Sequence, residues 1–362
     1  MFGIISSFVF LISGVQTPAT TDRIRPDLEV LRQVISCGPS YQIAFIPGQG
    51  GIPQLTGPLG GPSLGITVAP WNQTLQYLAY PDLRRLMQQE PTTLFSRCFR
   101  SDMALKGESS PGMPAGWITN FDIKIEVPKD ETRWRRMKLV YPNGAKTDLI
   151  PLLDANGWPT GDFEHANGDP FLVRGVPGKT INSWESIEDI WDPMTWVFKV
   201  AKDGNYRLST IKTLVRKLSL DFYYDVQGRL TGVASGATNK WVSTLNYSPN
   251  GYLDSIVRDD KSYVKFYYEQ NQEALKGKWV LRAVTGLSSD PKKEEIYYYY
   301  KYKIIGDQFL LSSISRPSAS LKTDNWSVAH IQYDDSGKVI KLTDANGNST
   351  SIGSKRLYCL LL

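Results

Sequence analysis

"DFYYDVQGRLTGV", residues 221–233, sets an aromatic run against an apolar one across a turn that carries aspartate and glycine. Asp225 can hydrogen-bond the backbone two residues on, and Gly228 can take the positive φ that closes a hairpin. Tyr224 ends the first strand with a large ring and a polar tip. "IQYDDSGKVIKLTDANGN" (331–348) repeats the arrangement at Tyr333, Asp334 and Gly337. "LNYSPNGYL" (245–253) keeps Tyr247, Gly251 and Leu253 but has Ser248 in place of the aspartate.

Working outward, an apolar residue, two others and a second apolar residue recur after turns. The pairs are Leu208/Ile211, Leu230/Val233, Leu253/Ile256, Leu281/Val284, Leu311/Ile314 and Val339/Leu342. Aromatic strands such as "YVKFYYEQ" and "EEIYYYYKYK" precede most of them. A fixed order at this period marks an array of supersecondary units. One hairpin is marginal alone, and its neighbours supply the missing burial. A spacing of three puts the two apolar residues on opposite strand faces unless a bulge intervenes, and the sequence leaves both readings open. The units at 266–284 and 297–314 lack the Tyr-Asp-x-x-Gly turn, so longer loops are expected there.

Upstream, "GWITNFDIKIEV" (116–127) alternates Phe121, Ile123, Ile125 and Val127 with polar residues, the pattern of one strand with a covered face. "KLVYPNGAKTDLI" (138–150) reads as strand, Asn-Gly turn, strand, and "WVFKVAKDGNYRLSTI" (196–211) as a further pair. Residues 20–110 read as a separate irregular region. It holds a Gly/Pro-rich strip at 47–65 and one or two short helices, over 25–38 and 80–91.

The chain of 362 residues is 41% apolar and 12% aromatic, a profile that suits pleated sheet. Its net charge of +5 is spread out, and the run Arg133 to Lys138 reads as a solvated strand face, so nucleic acid is not an expected partner. The apolar run Phe2–Val15 is too short to span a bilayer and resembles a signal peptide over residues 1–19, with a buried first strand as the alternative. Cys37 and Cys98 could pair in an exported chain. His165 lies near Asp162, Glu164 and Asp169, where metal or acid–base chemistry competes with a surface turn, and the turn is favoured. His330 reads as structural. The C-terminal Cys359-Leu360-Leu361-Leu362 fits a prenylation box but reads as an apolar strand end. No nucleophile elbow, Cys-x-x-Cys or zinc spacing occurs, so no enzyme, cofactor or metal is expected.

The Tyr-Asp-x-x-Gly-Arg-Leu core at Tyr224, Asp225, Gly228, Arg229 and Leu230 resembles the YD repeat of the RHS family of bacterial proteins. The match is looser at Tyr333, Asp334, Gly337, Lys338 and Val339, and again at Tyr247, Gly251 and Leu253. "GWITNFDIKIEV" is similar to the segment that introduces such repeats, and the resemblance covers about residues 115 to 352. It implies a mainly β fold, an antiparallel hairpin strip that forms a curved or partial β-shell. Lead-in strands would occupy 115–200 and repeats 201–352, with 353–362 an atypical, truncated tail. The family's Asp-Pro-x-Gly-Leu cleavage signature is not matched by Asp169-Pro170, Asp192-Pro193 or Asp290-Pro291. The implied function is a non-enzymatic shell segment, secreted or at the cell surface, that encloses or presents a C-terminal effector such as a toxin. Its partners would be that effector or the rest of the shell. The alternative is an adhesion module that binds carbohydrate or a partner protein through exposed aromatics, chiefly Tyr297, Tyr298, Tyr299 and Tyr300 with Trp134, Trp158 and Trp184. Alternate tyrosines face opposite sides of the sheet, so one pair can be core while the other is available.

Overall fold

The computed structural model describes residues 65–69, 73–79, 95, 97–119, 121–127, 137–140, 146–157, 159–165, 171–175, 184–189, 194–213, 219–236, 238–270, 277–317, 325–344 and 347–352. The segment 1–19, both sequence-predicted helices, Cys37, the run 133–136 and the tail 353–362 lie outside the described residues.

The fold is mainly antiparallel β, as the sequence predicts. Four strands, β1 (Gly65–Ala69), β2 (Thr74–Leu78), β3 (Arg97–Arg100) and β4 (Trp117–Thr119), form a small sheet in sequence order. One helical turn, α1 (Ser101–Lys106), follows β3 and stops at Gly107, whose φ is +71°. This corrects the irregular reading of the region: from residue 65 onward it contains a sheet, because Val68, Leu75, Tyr77, Phe99 and Trp117 are buried.

The remaining strands form one continuous strip. It opens with β5 (Lys124–Glu126), β6 (Lys138–Val140), β7 (Lys146–Leu153), β8 (Pro159–His165), β9 (Phe171–Gly175), β10 (Trp184–Asp189), β11 (Met194–Val200) and β12 (Tyr206–Thr213). It continues with β13 (Ser219–Tyr224), β14 (Leu230–Ser235), β15 (Lys240–Tyr247), β16 (Leu253–Arg258), β17 (Tyr263–Gln270) and β18 (Trp279–Thr285). The last five strands are β19 (Ile296–Ile305), β20 (Gln308–Pro317), β21 (Asn325–Tyr333), β22 (Val339–Asp344) and β23 (Ser349–Ser351). Each pairs with the next. In addition, β5 pairs with β12 through Tyr206↔Ile125 and Arg207↔Lys124. The strands β5 to β12 thus close into a ring, while β13 to β23 leave it as a strip, so the whole is not a closed barrel.

The stretch 116–127 is not one strand. Trp117–Thr119 belongs to the small sheet and Lys124–Glu126 to the strip, with a turn between them in which Asp122 N donates to Thr119 O. Phe121, Ile123 and Ile125 are buried on the way. His165 lies at the end of β8, opposite Leu149, and not in a surface turn.

The spacing of three resolves as a bulge in all six units. Register shifts occur between Val197/Phe198, Tyr223/Tyr224, Asn246/Tyr247, Tyr267/Tyr268, Lys301/Tyr302 and Gln332/Tyr333, each against the apolar-x-x-apolar strand. The extra residue returns the second apolar side chain to the covered face. All twelve residues of the six pairs are buried as a result.

Six turns share one hydrogen-bond pattern, in which the first residue's N–H reaches the fifth residue's carbonyl and the fourth residue's N–H returns to the first carbonyl. They start at Ala201, Asp225, Ser248, Arg258, Asp334 and Asp344. This is the three-residue hairpin loop that ends on a left-handed residue. Glycine supplies that residue in five, and Lys261, at φ +70°, supplies it in the sixth. The 297–314 unit departs from the longer loop read from its sequence: Ile305 pairs with Gln308, so Gly306 and Asp307 alone make the turn.

A left-handed lysine costs on the order of 1–2 kcal/mol that glycine avoids, part of it offset by glycine's greater freedom when unfolded. Lys261→Gly is therefore expected to raise the melting temperature, measured by circular dichroism. A lower one would contradict the turn geometry.

Candidate functional site

The repeat residues build a ladder of side chains that joins each hairpin to the one before it. Tyr247 donates its hydroxyl to the Leu230 carbonyl at 2.7 Å, Tyr268 to Leu253 at 2.7 Å, Tyr302 to Leu281 at 2.8 Å and Tyr333 to Leu311 at 2.8 Å. The acceptors are the residues that precede the bulges. A bulge interrupts the ladder and leaves backbone groups unpaired, and buried carbonyls need a donor. The tyrosine of the following hairpin is that donor.

Register explains why the tyrosine arrives. Pairing Gly232↔Thr244 carries Leu230 to Asn246, one residue short of Tyr247. Ser255↔Lys265 carries Leu253 to Tyr267, next to Tyr268. Ala283↔Tyr299 and Ser313↔His330 do the same for Tyr302 and Tyr333.

A second tie runs along the turns. Arg207 donates to the Gly228 carbonyl at 3.3 Å, and Arg229 to that of Gly251 at 3.2 Å. The Arg229 guanidinium also lies 4.4 Å from the Tyr247 ring centre. Tyr252 holds the equivalent place in the next turn and stacks on Tyr268 at 5.2 Å. The turn aspartates are fully engaged. Asp225 accepts from the N–H groups of Gln227 and Arg229 and from Arg229 Nε at 2.7 Å. Asp334 accepts from the N–H groups of Ser336 and Lys338, which hold its carboxyl below the usual range. Gly228, Gly251 and Gly337 are left-handed, at φ +78°, +85° and +83°.

The small sheet is fastened to the inward face of the same ladder. Trp117 Nε1 donates to the Tyr302 hydroxyl at 3.0 Å, so the Leu281 rung continues into β4. Arg97 is fully buried, with its guanidinium 5.1 Å from the Trp117 ring centre, and donates to the Tyr300 hydroxyl at 3.3 Å. Backbone carbonyls of Gly112 and Gln73 accept from Leu253 N and Val339 N, two of the residues that open a bulge.

The four consecutive tyrosines divide between the two faces of β19: Tyr298 and Tyr300 are the buried pair, and Tyr297 and Tyr299 are partly exposed. Tyr298 and Tyr300 point into the core, at 2% and 0% exposure, because they lie on the covered face of β19. Tyr297 packs on the core edge with Arg316 4.1 Å from its ring centre. The side chains of Trp134, Trp158 and Trp184 lie outside the described residues. Cys98 is buried with a free thiol. The described residues hold no cluster of metal ligands and no helix long and apolar enough to cross a membrane.

The rungs and the Arg97–Trp117 anchor were missed by sequence reasoning, which left the bulges as one of two open readings. The available signal was the recurrence of a tyrosine near the end of the strand before each turn, since the separation from the acceptor leucine varies from 15 to 22 residues.

No family model matches the chain, and no curated protein matches it. Among solved structures it is similar to the TcdB2-TccC3 complex, at 12% identity and TM-score 0.39, over 80% of this chain and 18% of that one. The same complex without its hypervariable C-terminal region aligns at 13% identity and TM-score 0.33, over 85% and 17%. A Tc holotoxin pore from Photorhabdus luminescens aligns at 9% identity and TM-score 0.23, over 78% and 18%. The chain spans less than a fifth of the length of each of these.

Removing one rung hydroxyl leaves a buried carbonyl without its donor, a loss of about 1–3 kcal/mol. Tyr333→Phe, whose ring is 3% exposed, is expected to lose that much in a urea titration, with an unchanged slope. Wild-type stability would show that the hydroxyl is not engaged.

Burial raises Tyr268 and Tyr333 well above the ordinary tyrosine value of 10.0. A raised value in the folded state favours the neutral form. That contribution is complete below pH 10 and is lost as pH climbs through the folded values. Alkaline titration should therefore show the final part of the tyrosinate absorbance, that of the buried rungs, rising together with loss of β circular dichroism above pH 10. Ionisation of every tyrosine with the fold intact would contradict burial of the rungs.

Proposed function

We propose that the strip from β5 to β23 is a wall segment of an RHS-type shell, a non-enzymatic structure that encloses or presents an effector carried by the same polypeptide. Four successive tyrosine rungs carry this reading. The hairpins β15–β16, β17–β18 and β19–β20 each supply an acceptor at the bulge and a donor at the strand end, so hairpins of this kind can be added one after another without a new kind of contact. The turn carboxylates support a structural role, since Asp225 and Asp334 are consumed by their own loops. The Tyr-Asp-x-x-Gly-Arg-Leu core that resembles the YD repeat supports the family reading. Such a shell acts outside the cell that makes it, with the effector and the remaining wall as its partners.

The test is expression of the complete reading frame that contains this chain, followed by limited proteolysis. The shell reading predicts further tyrosine-rung hairpins and an appended module that resists protease while the wall is intact. Pairing Tyr268→Phe with Tyr333→Phe should expose that module to cleavage. A complete product with no such module, or a module cleaved equally fast in both forms, would overturn the reading.

A further inference from the structure

The register that positions every rung also positions Tyr224. Pairing Thr210↔Asp221 carries Leu208 to Tyr223, so Tyr224 stands one residue beyond, like the other rung tyrosines. Its hydroxyl is buried without a hydrogen-bond partner. The cause lies in β12, whose edge is divided between β5, at Tyr206 and Arg207, and β13, from Thr210 to Lys212. Leu208 falls in the fork between the two ladders.

The crossing from the small sheet into β5 brings Asp122 to the same place, where its Oδ2 accepts from Ser110 Oγ at 2.8 Å. Between them lies a cavity of about 20 Å³, lined by Phe121, Asp122, Tyr224, Gly228, Leu230 and Tyr247 among others. Burial, and after it the Asp122 charge, raise the pKa of Tyr224, which places the two groups within electrostatic reach across the gap. A polar cavity of this size holds one water and nothing larger. A buried hydroxyl left unpaired costs more than the immobilised water that would satisfy it.

We propose that one ordered water occupies this cavity as the foot of the ladder, accepting a hydrogen bond from the Tyr224 hydroxyl and donating one to the Asp122 carboxylate. It would tie the crossover between the two sheets to the first repeat, in the place where a direct rung is not made. The inference does not depend on the shell reading.

The experiment is a crystal structure of the full chain at a resolution that shows ordered solvent, for the wild type and for Tyr224→Phe. The wild type should show one water within hydrogen-bonding distance of both the Tyr224 hydroxyl and the Asp122 carboxylate. The phenylalanine variant, which keeps the ring, should lose or displace that water. A dry cavity in the wild type, a Tyr224 hydroxyl bonded directly to the Leu208 carbonyl, or a water unchanged in the variant would each overturn the proposal.

Discussion

The bond from a tyrosine hydroxyl to the carbonyl before a bulge is the interaction on which the strip depends. Each bulge solves one problem and creates another. It returns both residues of a pair such as Leu253/Ile256 to the covered face, and it removes a carbonyl from the regular ladder. A β-strip without the bulge would expose half of its apolar residues, and one with the bulge but without the tyrosine would bury an unpaired acceptor. The following hairpin resolves this with Tyr268, and the same solution recurs along the strip. Stability is therefore a property of neighbouring hairpins and not of any single one.

The arrangement also explains the composition of the repeat. Tyrosine is required because its ring packs on the core while its hydroxyl reaches a backbone oxygen. Phenylalanine would fill the same space without the bond, as Phe198 does in the first unit, where it faces Leu208 across the bulge. Arginine recurs before the bulge residue because its length spans to the next turn, where Arg207 and Arg229 each find a glycine carbonyl. The small sheet joins the same network through Trp117 and Arg97, so the inward face is held by polar bonds as well as by burial.

Much of the fold was legible in the sequence. The turns at Asp225 and Asp334 and the apolar pairs follow from local chemistry and periodicity, which a single chain displays. What was not legible depends on pairing between strands distant in sequence. The bulges are one example, since spacing alone cannot tell a bulge from a change of face. The division of residues 116–127 between two sheets is another: the alternation of Phe121, Ile123 and Ile125 records burial without naming the sheet. Which alternate pair of tyrosines is covered was not legible, because four consecutive tyrosines look alike on both faces and the covering residues, Tyr77 and Trp117, lie some two hundred positions earlier. The left-handed Lys261 gave no compositional sign because glycine usually holds that place.

Amide hydrogen exchange on the wild type and Tyr268→Phe tests the coupling most directly. If the rung joins neighbouring hairpins, the variant should lose protection on both sides of the broken bond, across β16 and β17, while β20 to β22 keep theirs. Loss confined to the strand that carries the substitution, or no loss, would contradict the account.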